Sequence, residues 1–326
     1  MTLVTGASGF IGGHVARALA ARGEPLRLLL RTTSSKALAA ELAAEVVEGD
    51  LRDLASLRRA VDGCRRIFHV AADYRLWAPR PAELYESNVE GTRNLLTAAA
   101  EAGCDRFVYT STVGTIGVPG DGETGDEASP VSLDDMSGHY KRSKFLAEEA
   151  VCDAAWEGFP AVIVNPTAPV GEADAKPTPT GRIIVDFLCG RMPAYVDTGL
   201  NLVDVEDVAA GHLLAAERGR PGERYILGGR NMSLREILET LARLTDREPP
   251  WLEIPYGAAW AVGAVETAVA RFTGRAPQAP IEAVRMARKK MYVRTDKAER
   301  ELGYRARPVE PALERAIRWF QANGYC

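Results

Sequence analysis

The sequence is short of what metal and disulfide chemistry need. Its five cysteines, Cys64, Cys104, Cys152, Cys189 and Cys326, are an odd number, widely spaced and without a Cys-x-x-Cys pair. This argues against a disulfide framework and a zinc site, and reads as reduced thiols in a cytoplasmic protein. The histidines His14, His69, His139 and His212 are equally scattered, no pair has metal-ligand spacing, and no metal is expected. No face is strongly basic: 40 Lys and Arg against 44 Asp and Glu leave a net charge of −4, which argues against nucleic acid as the main partner. The one basic run, residues 285–290, reads as a solvated helix face. No leader is expected either. Strand-like residues begin at Thr2 and reach a glycine motif by Gly6, leaving no room for a signal peptide, and the expected location is the cytoplasm. No internal repeat is found.

What is present is a regular alternation. Short apolar runs at 3–5, 25–30, 45–47, 67–71, 107–110 and 161–164 are separated by helical patterns at 12–22, 34–41, 54–61, 84–102 and 139–157. Buried strands with helical crossovers mean an α/β fold, a doubly wound parallel sheet of Rossmann type. After Asn165 the texture changes: residues 172–182 are rich in proline, threonine and glycine, and 191–201 are irregular, as segments that shape a substrate pocket often are. Residues 202–208, an alanine-rich helix and a strand at 224–227 look like a return to the first unit. The expected division is therefore 1–168 with a return segment at about 202–228 for the dinucleotide, and 169–201 with 229–326 as a smaller, mainly helical substrate lobe.

Thr5-Gly6-Ala7-Ser8-Gly9-Phe10-Ile11-Gly12 lies between a strand and a helix. Gly6 allows the tight turn, Gly9 lets the backbone approach a pyrophosphate, and Gly12 permits close helix packing. The helix N-terminus, from Ser8 through Phe10 and Ile11, offers free N–H groups and a positive dipole end. At the end of the second strand an Asp or Glu would bind ribose hydroxyls and repel a 2′-phosphate. This chain instead has Arg31, followed by hydroxyls that include Ser35, and then Lys36. A guanidinium with hydroxyls suits a phosphate ester, so NADP is expected over NAD. Asp50 and Leu51 should meet the adenine, and Ala71 and Ala72 leave room for the cofactor. His69 reads as a core residue.

Tyr140 and Lys144 lie four apart on one helix face. A free phenol titrates near pH ~10, too high for proton exchange at neutral pH. A neighbouring ammonium and a positive nicotinamide ring would bring it down, so that Tyr140 exchanges the hydroxyl proton while Lys144 holds the nicotinamide ribose. Thr112 carries a hydroxyl that can share a substrate oxygen. Alternation along the strand puts 110 and 112 on one side and the alternative, Ser111, on the other.

Together these elements resemble the extended short-chain dehydrogenase/reductase superfamily across essentially the whole chain. The resemblance includes Asn88-Val89-Glu90-Gly91-Thr92, Val205-Glu206-Asp207-Val208 and Glu301-Leu302-Gly303-Tyr304. Arg31, Tyr109-Thr110-Ser111-Thr112 and Asn165-Pro166-Thr167 look like the dihydroflavonol-reductase branch. The strings Val70-Ala71-Ala72-Asp73-Tyr74-Arg75-Leu76-Trp77, Lys176-Pro177-Thr178-Pro179-Thr180-Gly181-Arg182 and Met192-Pro193-Ala194-Tyr195-Val196-Asp197-Thr198-Gly199 resemble the bacterial hopanoid-associated sugar epimerase family. The resemblance implies a catalytic triad of Thr112, Tyr140 and Lys144 supported by Asn88, with Pro166 and Thr167 among the cofactor contacts. It also implies a homodimer through the helices of Asn88 and Tyr140, and a link to hopanoid lipid biosynthesis. Two positions depart from it. Threonine replaces the superfamily's usual serine at 112, and Arg31 replaces the acidic residue that sugar-nucleotide epimerases carry.

Sugar dehydratases of this superfamily place an Asp-Glu pair just after the catalytic hydroxyl. Here Val113 and Gly114 follow Thr112, which argues against that chemistry. Carbonyl reduction leads, with epimerisation and a non-catalytic cofactor sensor as alternatives, and the substrate is a small or lipid-linked molecule. Residues 256–272 are apolar except for Glu266, Thr267 and Arg271. They are expected to pack into the small lobe as a pocket wall, with peripheral membrane contact as the alternative. The acidic, glycine-rich loop 119–138 could fold over the substrate, and Lys176, Arg182 and Arg191 could meet an anionic group.

Overall fold

A computed structural model describes residues 1–119, 123–273 and 281–326. The strands are β1 (Thr2–Thr5), β2 (Leu26–Leu30), β3 (Glu45–Glu48), β4 (Arg66–His69), β5 (Arg106–Thr110), β6 (Ala161–Pro166), β7 (Ala168–Val170), β8 (Ala194–Tyr195), β9 (Gly199–Asp204), β10 (Arg224–Leu227), β11 (Arg230–Ser233) and β12 (Leu252–Glu253). Seven of them form one parallel sheet in the order β10-β6-β5-β4-β1-β2-β3. The order reverses beside β1, and in open α/β sheets such a switch point is where a ligand crevice forms.

Side chains alternate across this sheet, so each strand feeds two cores. Val4, Leu28, Phe68, Val108 and Val164 pack on one face beneath α1 (Phe10–Ala20) and, later in the chain, α8 (Val205–Arg218). Leu3, Leu29, Ile67, Phe107 and Ile163 pack on the other, against α3 (Leu54–Val61), α5 (Gly91–Glu101) and α6 (Gly138–Trp156). A short α2 (Ala37–Glu41) follows β2. The single helix expected over 84–102 is broken: α4 (Ala82–Tyr85) runs into a π-helical turn at Glu86–Glu90 before α5 begins. Such turns recur at functional sites, and this one carries Asn88.

A second region is built on β7, β9 and β11, with β8 and β12 as a separate pair. Its core joins α7 (Pro179–Leu188), α9 (Leu234–Thr245) and, last in the chain, α13 (Glu310–Ala322). Between the last two come α10 (Tyr256–Thr273), α11 (Ile281–Met286) and α12 (Asp296–Leu302). Of the expected return segment, only β10 enters the main sheet; β9 pairs with β7 and β11. An apolar run signals a buried strand but carries no information about which edge it will join.

The cysteine reading needs correction. Cys189, just after α7, is joined to Cys326 by a disulfide that spans 137 residues of sequence, while Cys64, Cys104 and Cys152 are free thiols. Spacing alone could not reveal this pair, because it forms only when the C-terminal tail packs on α7. Among the described residues no helix is long and apolar enough to cross a membrane, and no cluster of His, Cys, Asp and Glu could hold a metal ion.

Candidate active site

The turn from β1 into α1 is tight because of its glycines. Gly6 has φ +72°, and a Cβ there would come within 2.6 Å of the Ala71 backbone nitrogen. A Cβ on Gly12 would collide with the Gly6 carbonyl oxygen, so the constraint at Gly12 comes from the turn itself. Gly9 caps α1 in extended conformation, receives no side-chain cap, and no acidic residue stands in the first turn. The first N–H groups of α1 are thus left for an anion. Phe10 packs edge-on against His14, and Ser8 is exposed. This cradle fits a dinucleotide pyrophosphate.

Around the cradle the expected contacts divide. Arg31 is exposed at the end of β2, its guanidinium making no hydrogen bond or ion pair to any described residue, and Ser35 caps its own turn by accepting from Ala37 N–H at 3.2 Å. Lys36 is drawn away by Glu48 at 2.5 Å. The Asp50 carboxylate is held down at about 2, chiefly by its bonds to Arg52 at 2.9 and 2.8 Å and, more weakly, by the charge of Arg31. Leu51 is buried under Gly91, where a Cβ would lie 2.7 Å from that of Leu51. Ala71 and Ala72 are half-buried at the mouth of the turn, and Pro166 and Thr167 are buried at the end of β6.

The side chains expected to be catalytic converge above β5. Burial pushes the Tyr140 phenol up to about 12, against the pull of a hydrogen bond with the Thr112 side chain. Lys144, 2% exposed, donates to Tyr109 Oη at 2.7 Å and to the Thr110 carbonyl at 2.8 Å, and burial lowers it to about 7 against the pull of Glu148. One of its three donors stays uncommitted, which suits a ribose hydroxyl. The lowered phenol expected from a neighbouring ammonium is therefore not found in the protein alone: Lys144 is turned to β5, and burial dominates at Tyr140. Strand alternation also fails as the reason for Thr112. Thr110 Oγ1 bonds His212 Nε2 at 2.8 Å, whereas Lys144 of α6 lies over the ring of Tyr109, so the face of Thr110 is not the α6 face. Thr112 reaches Tyr140 because β5 stops at Thr110 and the chain turns, with Thr112 Oγ1 accepting from Gly114 N–H at 3.1 Å. Ser111 is buried instead against Thr115.

Asn88 ties the site together. Its amide accepts from Asp73 N–H at 2.7 Å, donates to Ser143 Oγ at 2.9 Å, and Ser143 in turn donates to the Tyr140 carbonyl. His69 is held between Thr5 and Thr92 and is lowered to about 3 by burial and by Lys144, as befits a neutral core residue.

Beneath Thr112 lies a buried polar network that the sequence reading left out. Asn165 Nδ2 donates to the Thr112 carbonyl at 3.1 Å and to Glu148 Oε2 at 3.0 Å, Thr115 donates to the same oxygen at 2.8 Å, and Arg224 pairs with Glu148 at 3.3 Å. A signal existed: Glu148 continues the four-residue spacing of Tyr140 and Lys144 along α6. A second omission is a cavity of about 600 Å³ beside Lys141, lined also by Tyr256, Trp260, Arg285, Arg288 and Lys289. The basic run thus contributes to a cavity wall, while Lys176, Arg182 and Arg191 do not line it. Tyr74 bridges to the Lys176 carbonyl at 3.0 Å. In the loop that could cover the substrate, residues 120–122 lie outside the described residues.

Comparison with known proteins agrees with this architecture. A model of the NAD dependent epimerase/dehydratase family matches residues 2–228. A Synechocystis protein provisionally named a dihydroflavonol 4-reductase is 45% identical, over 99% of this chain and 95% of its own. Sterol demethylase protein B of Methylococcus capsulatus is 36% identical over 99% of both chains. The crystal structure of gox2253 superposes with a TM-score of 0.89 at 47% identity, covering 100% of this chain and 99% of its own. The chain belongs to the NAD dependent epimerase/dehydratase family, within the extended short-chain dehydrogenases/reductases, and is an NAD(P)-dependent enzyme.

Proposed function

We propose that this member of the family is an NADP-preferring oxidoreductase that reduces a carbonyl, or oxidises the matching alcohol, on a small or lipid-linked substrate. The observation that carries the reading is the convergence of the Tyr140 phenol, the Thr112 side chain and the buried Lys144 at the end of β5. A bound nicotinamide supplies or accepts the hydride. Tyr140, pushed up to about 12, keeps its proton at neutral pH and can pass it to a substrate oxygen as negative charge develops there. The Thr112 hydroxyl then steadies the phenolate left behind. Lys144 uses its uncommitted donor to orient the ribose, and Asn88 is a positioning residue, acting on Tyr140 through Ser143. The glycine cradle, Arg31, Ser35, Asp50, Leu51, Ala71, Ala72, Pro166 and Thr167 form the cofactor bed in this reading.

Preference for NADP is supported by Arg31, exposed and uncommitted where an NAD enzyme would carry a carboxylate. A link to hopanoid biosynthesis is supported by the sterol demethylase protein B likeness, since sterols and hopanoids share a fused-ring triterpenoid skeleton. The family name favours a second reading, an epimerase that oxidises and re-reduces one carbon with no net change of cofactor. Following NADPH absorbance with candidate carbonyl substrates separates the two: net loss is the expected result, whereas isomer exchange without loss establishes the epimerase. Tyr140→Phe should abolish turnover while cofactor binding, read by fluorescence, is retained. Full activity in that variant would overturn the proton relay.

A further inference from the structure

Helix α10 is inverted relative to an ordinary surface helix. Trp260, Val262, Val265 and Val269 are 45, 53, 64 and 53% exposed, and Ala258, Ala261 and Ala268 lie exposed among them. Thr267, one of its few polar residues, points inward and accepts from the Ile281 N–H of α11 at 3.0 Å, with Gly263 and Ala270 buried on the same inner side. The expected pocket wall is therefore only part of the answer: Tyr256, Gly257 and Trp260 line the cavity, but the valines face outward. Trp251 and Leu252, 85 and 42% exposed, precede the helix. Contiguous apolar surface of this kind marks a binding face.

We propose that the outer face of α10 docks on an anionic lipid bilayer. The charges beside it select this occupant. Helix α11 packs against α10, carries Arg285 in its last turn and leads into Arg288 and Lys289; all three are exposed and make no ion pair with any described residue. Lys290, by contrast, is paired with Asp197 at 3.0 Å. A second copy of the chain seated on the same face would bring the same cations toward their equals. A negatively charged membrane satisfies both features: valines and tryptophans enter the headgroup boundary, and arginine and lysine meet lipid phosphates. The helix lies in that boundary without crossing it. Gly257 and Trp260 are at once exposed and part of the cavity lining, so the cavity beside Lys141 borders the docking face. The docking does not depend on which reaction the enzyme catalyses.

Flotation of the full chain with phosphatidylcholine vesicles, with and without phosphatidylglycerol, tests this. The protein should float with the anionic vesicles, remain behind with the neutral ones, and lose binding as salt rises. Val265→Glu should weaken binding about tenfold. Replacing Arg285, Arg288 and Lys289 together by serine should weaken it about a hundredfold, at roughly fivefold for each cation. Absence of flotation with anionic vesicles, or equal flotation of Val265→Glu and the parent protein, would overturn the proposal. If light scattering instead finds a dimer that Val265→Glu converts to monomer, with no vesicle binding in either protein, the face belongs to a second copy and the proposal fails.

Discussion

Helices α6 and α10 depart from amphipathic patterning in opposite directions. The first buries Lys141, Lys144 and Glu148 against the rest of the molecule, while the second turns Trp260, Val262, Val265 and Val269 to the outside. Neither arrangement favours stability. A buried charge costs several kcal/mol unless its partners compensate, and a valine left in water forgoes roughly 1.5 kcal/mol or more of burial. On α6 the compensation is visible for two of the three: Lys144 has Tyr109 and the Thr110 carbonyl, and Glu148 has Arg224, Thr115 and Asn165, whereas Lys141 has no partner among the described residues and lines the cavity. On α10 no such compensation exists within the described chain, and the proposed bilayer supplies it. Local rules are broken where a segment works, and whether the remedy is internal or external tells the two kinds of work apart.

This contrast can be pressed by experiment. The largest effect should follow Tyr140→Phe, a loss of about a thousandfold or more in kcat, measured by NADPH oxidation. Glu148→Ala should cost about 3 kcal/mol in urea unfolding, because Arg224 and Asn165 lose a buried partner. Arg31→Asp should lower kcat/KM with NADPH about a hundredfold and raise it with NADH; an unchanged ratio would remove Arg31 from cofactor choice.

The next effect is on pH. Burial lowers His69 to about 3, assisted by Lys144, and His212 to about 4, opposed by the Val208 carbonyl. Both then bind protons more readily in the unfolded chain. Their contribution to stability is complete above the unfolded histidine value of about 6.5 and is lost as pH falls toward 4, by about 1.4 kcal/mol per pH unit for each. Asp174, raised by burial to about 6, opposes this, since its protonation relieves a cost between about pH 6 and 4. Net stability in urea should therefore fall from pH 7 to pH 5, and less steeply in His212→Gln. The smallest effect should come from Val265→Glu, a change in unfolding free energy within about 0.5 kcal/mol; a loss matching that of Glu148→Ala would mean that α10 is packed after all.

Much of the fold was legible because its signals are local. The six apolar runs and the strand expected at 224–227 place all seven strands of the main sheet within a residue or two of their ends, since parallel strands inside such a sheet are buried on both faces and must be largely apolar; only the edge strand β3 has exposed residues. The glycine turn was legible for the same reason: only glycine fits Gly6 and Gly12. The π-helical turn at Asn88 was not, because helical periodicity hardly registers one extra residue in a turn. Thr112 was chosen by a strand alternation that ends two residues too early, and Glu148 and Asn165 were passed over because their partners are distant in sequence.

By itself, then, the sequence determined the class of fold, the phosphate turn, and the spacing that puts Tyr140 and Lys144 on one face of α6. These depend on backbone sterics and helical period, which act between near neighbours. Only the tertiary structure decided which way each group points: Lys144 toward β5, Thr112 toward Tyr140, Cys189 to Cys326, and the valines of α10 away from the core. Those choices depend on what packs opposite, and what packs opposite is set by chain segments tens to more than a hundred residues away.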